Sequence, residues 1–214
     1  VLCHLEKIMM QPFVPHIVGI GGTLRYGSSS ERVVRAVLRE AQRLGASTEA
    51  IVGPELVMPM YSPEALERTP QAMHFLEALR RADGVVIASP AYHGSVSGLV
   101  KNALDYTEDM RDDERSYFSQ RAIGCVACAG GVQAGASTLA TLRSIVHALR
   151  GWPTPLGVML NTSQTLFNAE GVCVDVAATE QLRIMAGEIV MFARANASAR
   201  EEREALSEVS CESV

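Results

Sequence analysis

Thr23, Arg25, Ser28, Ser29 and Ser30 crowd into one short stretch, GIGGTLRYGSSSE (residues 19–31). Hydroxyls, backbone N–H groups and one guanidinium are the groups that hold a phosphate. Gly22 and Gly27 have the spacing of a nucleoside-triphosphate loop, but Ser28 and Ser29 follow where Lys and Ser/Thr are needed. Without that Lys the β- and γ-phosphates lose their main cation. The dinucleotide pattern GxGxxG also fails, because Leu24 stands where the third glycine belongs. A hydroxyl-rich loop with one Arg suits a phosphate monoester such as that of FMN. The plainer alternative is that Ser, Thr and Gly turn the chain and cap the next helix.

The second stretch is SPAYHGSVSGLVKNALDYTEDM (residues 89–110). Pro90 stiffens a strand exit. Ala91, Tyr92 and His93 follow at once, where a planar ring could rest, and Gly94 permits close approach. Ser95 or Ser97 can cap the following helix. On that helix Val100, Ala103 and Leu104 face inward, and Lys101 with Asp105 makes an i,i+4 pair. A third Gly-rich stretch, GGVQAG (residues 130–135), contributes Gly130 and Gly131.

These stretches need a scaffold, and the periodicity supplies one. Short apolar runs at 16–20, 48–52, 84–89, 121–129 and 155–160 read as strands. Between them lie helices from about Ser30 to Gly45, over 70–82, from Ser97 to about Met110, from Ser137 to Leu149, and over 176–194. Val33, Val34, Val37, Leu38, Ala41 and Leu44 mark the buried face of the first helix. Met73, Leu76 and Leu79 mark that of the second. Five strands alternating with helices predict an α/β fold, a five-stranded parallel sheet with helices on both faces. Five rather than six favour the strand order 2-1-3-4-5. Ligands in such sheets bind beyond the carboxyl ends of the strands. All three Gly/Ser/Pro-rich stretches fall there.

Residues 89–106 resemble the SPxYxxSxSGxLKNxxDW signature of the NADPH-dependent FMN reductase family. Ser89, Pro90, Tyr92, Ser95, Ser97, Gly98, Lys101, Asn102 and Asp105 match. Val100 replaces the usual Leu and Tyr106 the usual Trp. The first loop is similar to that family's SxRxxSxN phosphate loop through Thr23, Arg25 and Ser28, with Ser30 where Asn is commoner. FNAEGVCVD (residues 167–175) resembles the family's acidic turn before its last helix. The resemblance spans about residues 16–194.

It implies a flavodoxin-like three-layer sandwich that binds FMN non-covalently and is reduced by NADPH or NADH. Thr23, Arg25, Ser28, Ser29 and Ser30 would hold the phosphate. Pro90, Ala91, Tyr92, His93 and Gly94 would line the ring. Gly130 and Gly131 would meet its pyrimidine edge through backbone groups. A homodimer or homotetramer is expected, with the helix after Ser97 near the contact and Lys101 and Asp105 structural. Hydride passes from nicotinamide to flavin, so no protein acid or base is required and no catalytic side chain is assigned.

Other signals carry less. Cys125 and Cys128 spell CxxC inside an expected strand, where i and i+3 face opposite ways. A redox pair belongs at a helix N-terminus instead. His4, His16, His74, His93 and His147 do not cluster at ligand spacing, so no metal is expected. The charge run 108–115 reads as a solvated face, and the nine Met as core filler.

The 214 residues carry a net charge of -5, with 48% hydrophobic and 20% charged side chains. That balance suits one globular domain and argues against nucleic acid as a partner. No long apolar run suggests a membrane span, and no secretory signal is read. Five scattered Cys point to a reducing cytoplasm. The expected division is an N-terminal extension (1–14), the FMN-binding domain (15–195) and a polar tail (196–214), frayed or disordered.

The expected activity is an FMN-dependent NAD(P)H oxidoreductase that hands electrons to a second acceptor. A flavin reductase, one form of which serves a partner monooxygenase, is the leading version. A quinone or azo reductase on the same site, a flavodoxin-type carrier, a flavin-free relic and an unusual biosynthetic flavoenzyme stand as alternatives.

Overall fold

A computed structural model of the chain describes residues 13–65 and 67–211. Strands β1 (His16–Gly21), β2 (Ser47–Val52), β3 (Gly84–Pro90) and β4 (Ala122–Ala129) run parallel. Two short edge pieces, β5 (Trp152–Pro153) and β6 (Val158–Asn161), both pair with β4. The order is β2-β1-β3-β4, with β5 and β6 together forming the last position. This is the expected 2-1-3-4-5 sheet.

Helices α1 (Ser29–Arg43) and α5 (Val176–Cys211) cover one face; α2 (Pro70–Arg81), α3 (Gly98–Asp105) and α4 (Val132–Ala148) cover the other. Each face has its own apolar core. Ile17, Val86 and Val126 point into the α1/α5 layer. Val18, Val85 and Ile123 point into the α2/α3/α4 layer. Every residue of β3 and β4 is buried, which explains why those strands read as continuous apolar runs rather than alternating ones.

Several expectations need correction. The fifth strand is interrupted, because Pro155 has no N–H to offer the ladder and the Leu156 N–H donates to Glu188 Oε2 at 3.1 Å. Helix α4 begins at Val132, a turn and a half before Ser137. Gly135, read as loop, is a contact point: a Cβ there would lie 2.4 Å from Met159 Cγ, so glycine brings helix and sheet together. Met73 is 54% exposed, and Ala72 and Phe75 take the inner face with Leu76 and Leu79. Leu44 caps α1 and stays exposed. Helix α5 continues past 194 to Cys211, since ASAREERE (residues 197–204) holds good helix formers and no Gly or Pro stop.

Of the features read from the sequence, Cys3, His4 and most of the N-terminal extension lie outside the described residues, as do residues 212–214. No helix among the described residues is long and apolar enough to cross a membrane.

Candidate active site

Strands β1, β3, β4 and β6 all end at the same edge of the sheet, and the loops that leave them meet there. Ser28 caps α1: its hydroxyl accepts the Glu31 N–H at 3.3 Å. Glu31 in turn accepts the Gly27 N–H at 2.8 Å, so the loop is clamped to the helix it feeds. Gly27 sits at φ +64, which lets the chain turn there. Thr23 Oγ1 accepts the Arg25 N–H at 3.2 Å. These bonds leave donors over. The N–H groups of Ser29 and Ser30 open a helix, where no intrahelical acceptor exists. They lie at the positive end of the helix dipole.

The β3 loop is built by a hydroxyl relay. Buried Ser89 donates through Oγ to the Pro90 carbonyl at 2.9 Å and accepts the Ser97 N–H at 2.9 Å. Ser97 then caps α3 by accepting the Val100 N–H at 3.2 Å. Pro90 is the last ladder residue, opposite Cys128, and the Ala91 N–H continues the pairing to the Cys128 carbonyl at 2.9 Å. Beyond it, His93 (φ 53) and Gly94 (φ 79) are the two centres of a tight turn closed by the Ser95 N–H to the Tyr92 carbonyl, 3.1 Å. Two successive positive φ values make this a type I′ turn. It holds Tyr92 at the rim, 56% exposed.

The remaining signature residues work behind the loop. Asn102 Nδ2 donates to the Pro59 carbonyl at 2.9 Å, and its Oδ1 accepts the Tyr61 N–H at 2.9 Å. Tyr106 donates to the same Pro59 carbonyl at 3.0 Å and packs edge-on against Tyr61. Both hold the Pro-rich connection after β2 against α3. Lys101 pairs with Asp105 on the exposed side of α3.

Nine of the twelve residues expected to bind cofactor line one cleft of about 300 Å³: Thr23, Arg25, Ser28, Ser29, Ser30, Pro90, Ala91, Tyr92 and Gly130. Cys128, Ala129 and Thr162 complete its wall. The sequence does not mark them, because Cys128 and Ala129 sit in an apolar strand; Thr162 follows β6 at the same sheet edge, which is the signal that points to it. His93, Gly94 and Gly131 lie not in this cleft but in the adjoining groove, with Val132, Gln133 and Ser137 at the start of α4.

Cys125 and Cys128 do face opposite cores. Burial pushes both thiols up to about 12. Cys128 is therefore an inert wall, not a nucleophile. No group of His, Cys, Asp or Glu among the described residues is arranged to hold a metal ion.

A parallel 2-1-3-4-5 sheet with helices on both faces and a cleft at the carboxyl ends of its strands defines a flavodoxin-like protein. The sequence comparisons are narrower. The family model for NADPH-dependent FMN reductase matches residues 15–165. The chain belongs to that family, whose enzymes use FMN with a reduced pyridine nucleotide. It is 31% identical over 175 residues to an NAD(P)H-dependent FMN reductase of Pseudomonas aeruginosa, covering 78% of this chain and 89% of that protein. It is 31% identical over 105 residues to an NADPH azoreductase of a Bacillus species, covering 49% of this chain but only 56% of the azoreductase. Among solved structures, an oxidoreductase from Corynebacterium diphtheriae superposes with a TM-score of 0.64 at 20% identity, over 84% of this chain and 97% of that one, a likeness of fold.

Proposed function

We propose that this chain binds FMN in the cleft and passes electrons from NADPH or NADH to a small soluble acceptor, free flavin first among them. The observation that carries this reading is the donor set. Ser28, Ser29 and Ser30 bring hydroxyls, Ser29 and Ser30 bring free N–H groups, and Arg25 brings a cation, all on one cleft. That set fits a dianionic phosphate monoester. Pro90, Ala91 and Tyr92 give the flat wall beside it, and Gly130 brings backbone to the far edge. Gly131 and His93 would act from the adjoining groove, at the outer edge of the bound ring.

Bound FMN supplies the hydride chemistry. The protein binds the phosphate, fixes the ring plane through the Ser89 relay and leaves one side open. Grooves of about 560 and 600 Å³ flank the cleft, the first along Leu24, Tyr92 and Leu99 and the second along His93 and Val132. Such openness suits donor and acceptor that visit the same face in turn. Parallel initial-rate lines with NADPH and added flavin are then expected; intersecting lines would contradict the shared face. In this reading the reduced flavin can leave for a partner monooxygenase, and subunits associate through the α3 side.

An azo or quinone acceptor on the same site is the second reading, favoured by the match to the Bacillus NADPH azoreductase. Steady-state NADPH oxidation with FMN, an azo dye and a benzoquinone in parallel separates the two. A kcat/KM for free flavin below that for the azo dye would move the assignment to azo reduction.

A further inference from the structure

Beside the cleft, on its α1/α5 side, lies a second polar groove of about 410 Å³, lined by Arg25, Tyr26, Ser29, Arg32, Gln164 and Thr165 among others. It shares Arg25 and Ser29 with the phosphate cleft. We propose that this groove is the subsite for the 2′-phosphate of NADPH, with Arg32 as the residue that selects NADPH over NADH. The proposal rests on the reading of the cleft as a flavin site served by a pyridine nucleotide.

Charge is the first argument. Two guanidiniums face the groove and no Asp or Glu lines it. Neither Arg25 nor Arg32 forms an ion pair among the described residues. The nearest carboxylate in sequence, Glu31, is already engaged by the Gly27 N–H and by Arg35 at 3.0 Å. The uncompensated positive charge is therefore local, although the chain as a whole is acidic.

Placement is the second. Arg32 Nη1 donates to the Asn168 carbonyl at 3.1 Å. The acceptor is a neutral carbonyl, so the guanidinium is held in position without being neutralised. Asn168 is itself fixed: its Oδ1 accepts the Val172 N–H at 2.8 Å, and Arg39 donates to the Gly171 carbonyl at 3.0 Å. A small hairpin thus braces Arg32 from behind. The remaining N–H groups of its fork are left for a planar, multiply charged oxygen ligand. Tyr26, 82% exposed at the lip, offers a face on which an adenine ring can lie.

Necessity is the third. Arg25 is one cation between two cavities. If it serves the flavin phosphate, a second phosphate in the groove needs its own cation, and Arg32 is the residue placed to provide it. NADPH and NADH differ only in that phosphate, so Arg32 acts on their ratio rather than on either alone.

The test compares binding of adenosine 2′,5′-bisphosphate and 5′-AMP to the purified full chain by calorimetry, for the native protein and for Arg32→Gln and Arg32→Lys. The native protein should prefer the bisphosphate at least about tenfold, Arg32→Gln should abolish most of that preference, and Arg32→Lys should restore part of it. In steady state, KM for NADPH should rise in Arg32→Gln while kcat holds. Equal binding of the two nucleotides by the native protein would overturn the proposal. So would equal losses with NADH and NADPH in Arg32→Gln. Failure of the native protein to retain FMN would instead count against the cleft reading, and the bisphosphate comparison would still decide the groove.

Discussion

The Ser89 hydroxyl lies 2.9 Å from the Ser97 backbone nitrogen, and both residues are buried. One oxygen thus ties the end of the central strand to the cap of the next helix, and the Pro90–Tyr92 wall of the cleft hangs between those two points. Ser89→Ala leaves the Ser97 N–H buried without a partner. The expected cost is about 1–3 kcal/mol of stability. FMN affinity should fall with it, because Pro90, Ala91 and Tyr92 lose their rear support. Urea denaturation and a flavin titration check this; an unchanged midpoint would show that the bond contributes nothing.

Gly21 ends β1 directly under the loop that carries Thr23, Arg25 and Ser28. A Cβ there would stand 2.9 Å from the Ser30 carbonyl oxygen and 2.7 Å from Val34 Cγ2. Gly21→Ala must therefore push the first turn of α1 outward, and with it the hydroxyls of Ser28, Ser29 and Ser30. FMN affinity should drop about tenfold or more, on the scale of one lost charge-assisted hydrogen bond. Gly187→Ala, where nothing lies within 4 Å of the added Cβ, is the control and should bind FMN normally.

The connection after β2 is held by Asn102 and by a fork between Arg68 and Asp109, 2.6 and 2.9 Å. The hydrogen bond from Arg68 holds the Asp109 carboxyl below its usual range. Its stabilising effect is full above the unfolded carboxylate range and is lost as pH falls through the lowered folded value. Thermal melts of the native protein and Asp109→Asn should differ at neutral pH and converge in acid. Asn102→Ala should cost about 2–3 kcal/mol at every pH, since Asn102 does not titrate.

Burial raises the Cys125 and Cys128 thiols to about 12 in the folded chain. The unfolded chain releases those protons at the ordinary thiol value, so stability is intact below that value and declines as pH rises towards 12. Iodoacetamide at pH 8 should leave both residues unmodified in the native protein and alkylate both in denaturant, as mass spectrometry of peptides would read. Rapid native labelling of Cys128 would show that the cleft wall opens.

Much of this is legible in the sequence. The sheet order followed from five apolar runs, and loops at their carboxyl ends followed from that order. A serine cap for α3, at Ser95 or Ser97, and the opposed faces of Cys125 and Cys128 follow from period and position alone; the structure selects Ser97. What was not legible depends on contacts between distant segments. Gly135 reads as a loop residue unless Met159 is known to press on it. Arg121 falls in the run read as the fourth strand, yet it precedes β4, is 1% exposed and donates to the backbone carbonyls of Arg80, Ala82, Arg115, Tyr117 and Ser119. That His93 lines the adjoining groove rather than the cleft depends on the tight turn it makes with Gly94, which residue spacing does not show. Thr162 and Arg32 belong to the site region only through the packing of β6 on β4 and of the 167–173 hairpin on α1.

The most direct test is a visible spectrum of the purified protein with FMN, recorded before and after anaerobic NADPH. Flavin bands should travel with the protein through gel filtration and bleach when NADPH is added. Bound FMN that stays oxidised under NADPH, or a protein that neither retains FMN nor oxidises NADPH when FMN is supplied, would contradict the assignment of this cleft to pyridine-nucleotide-driven flavin reduction.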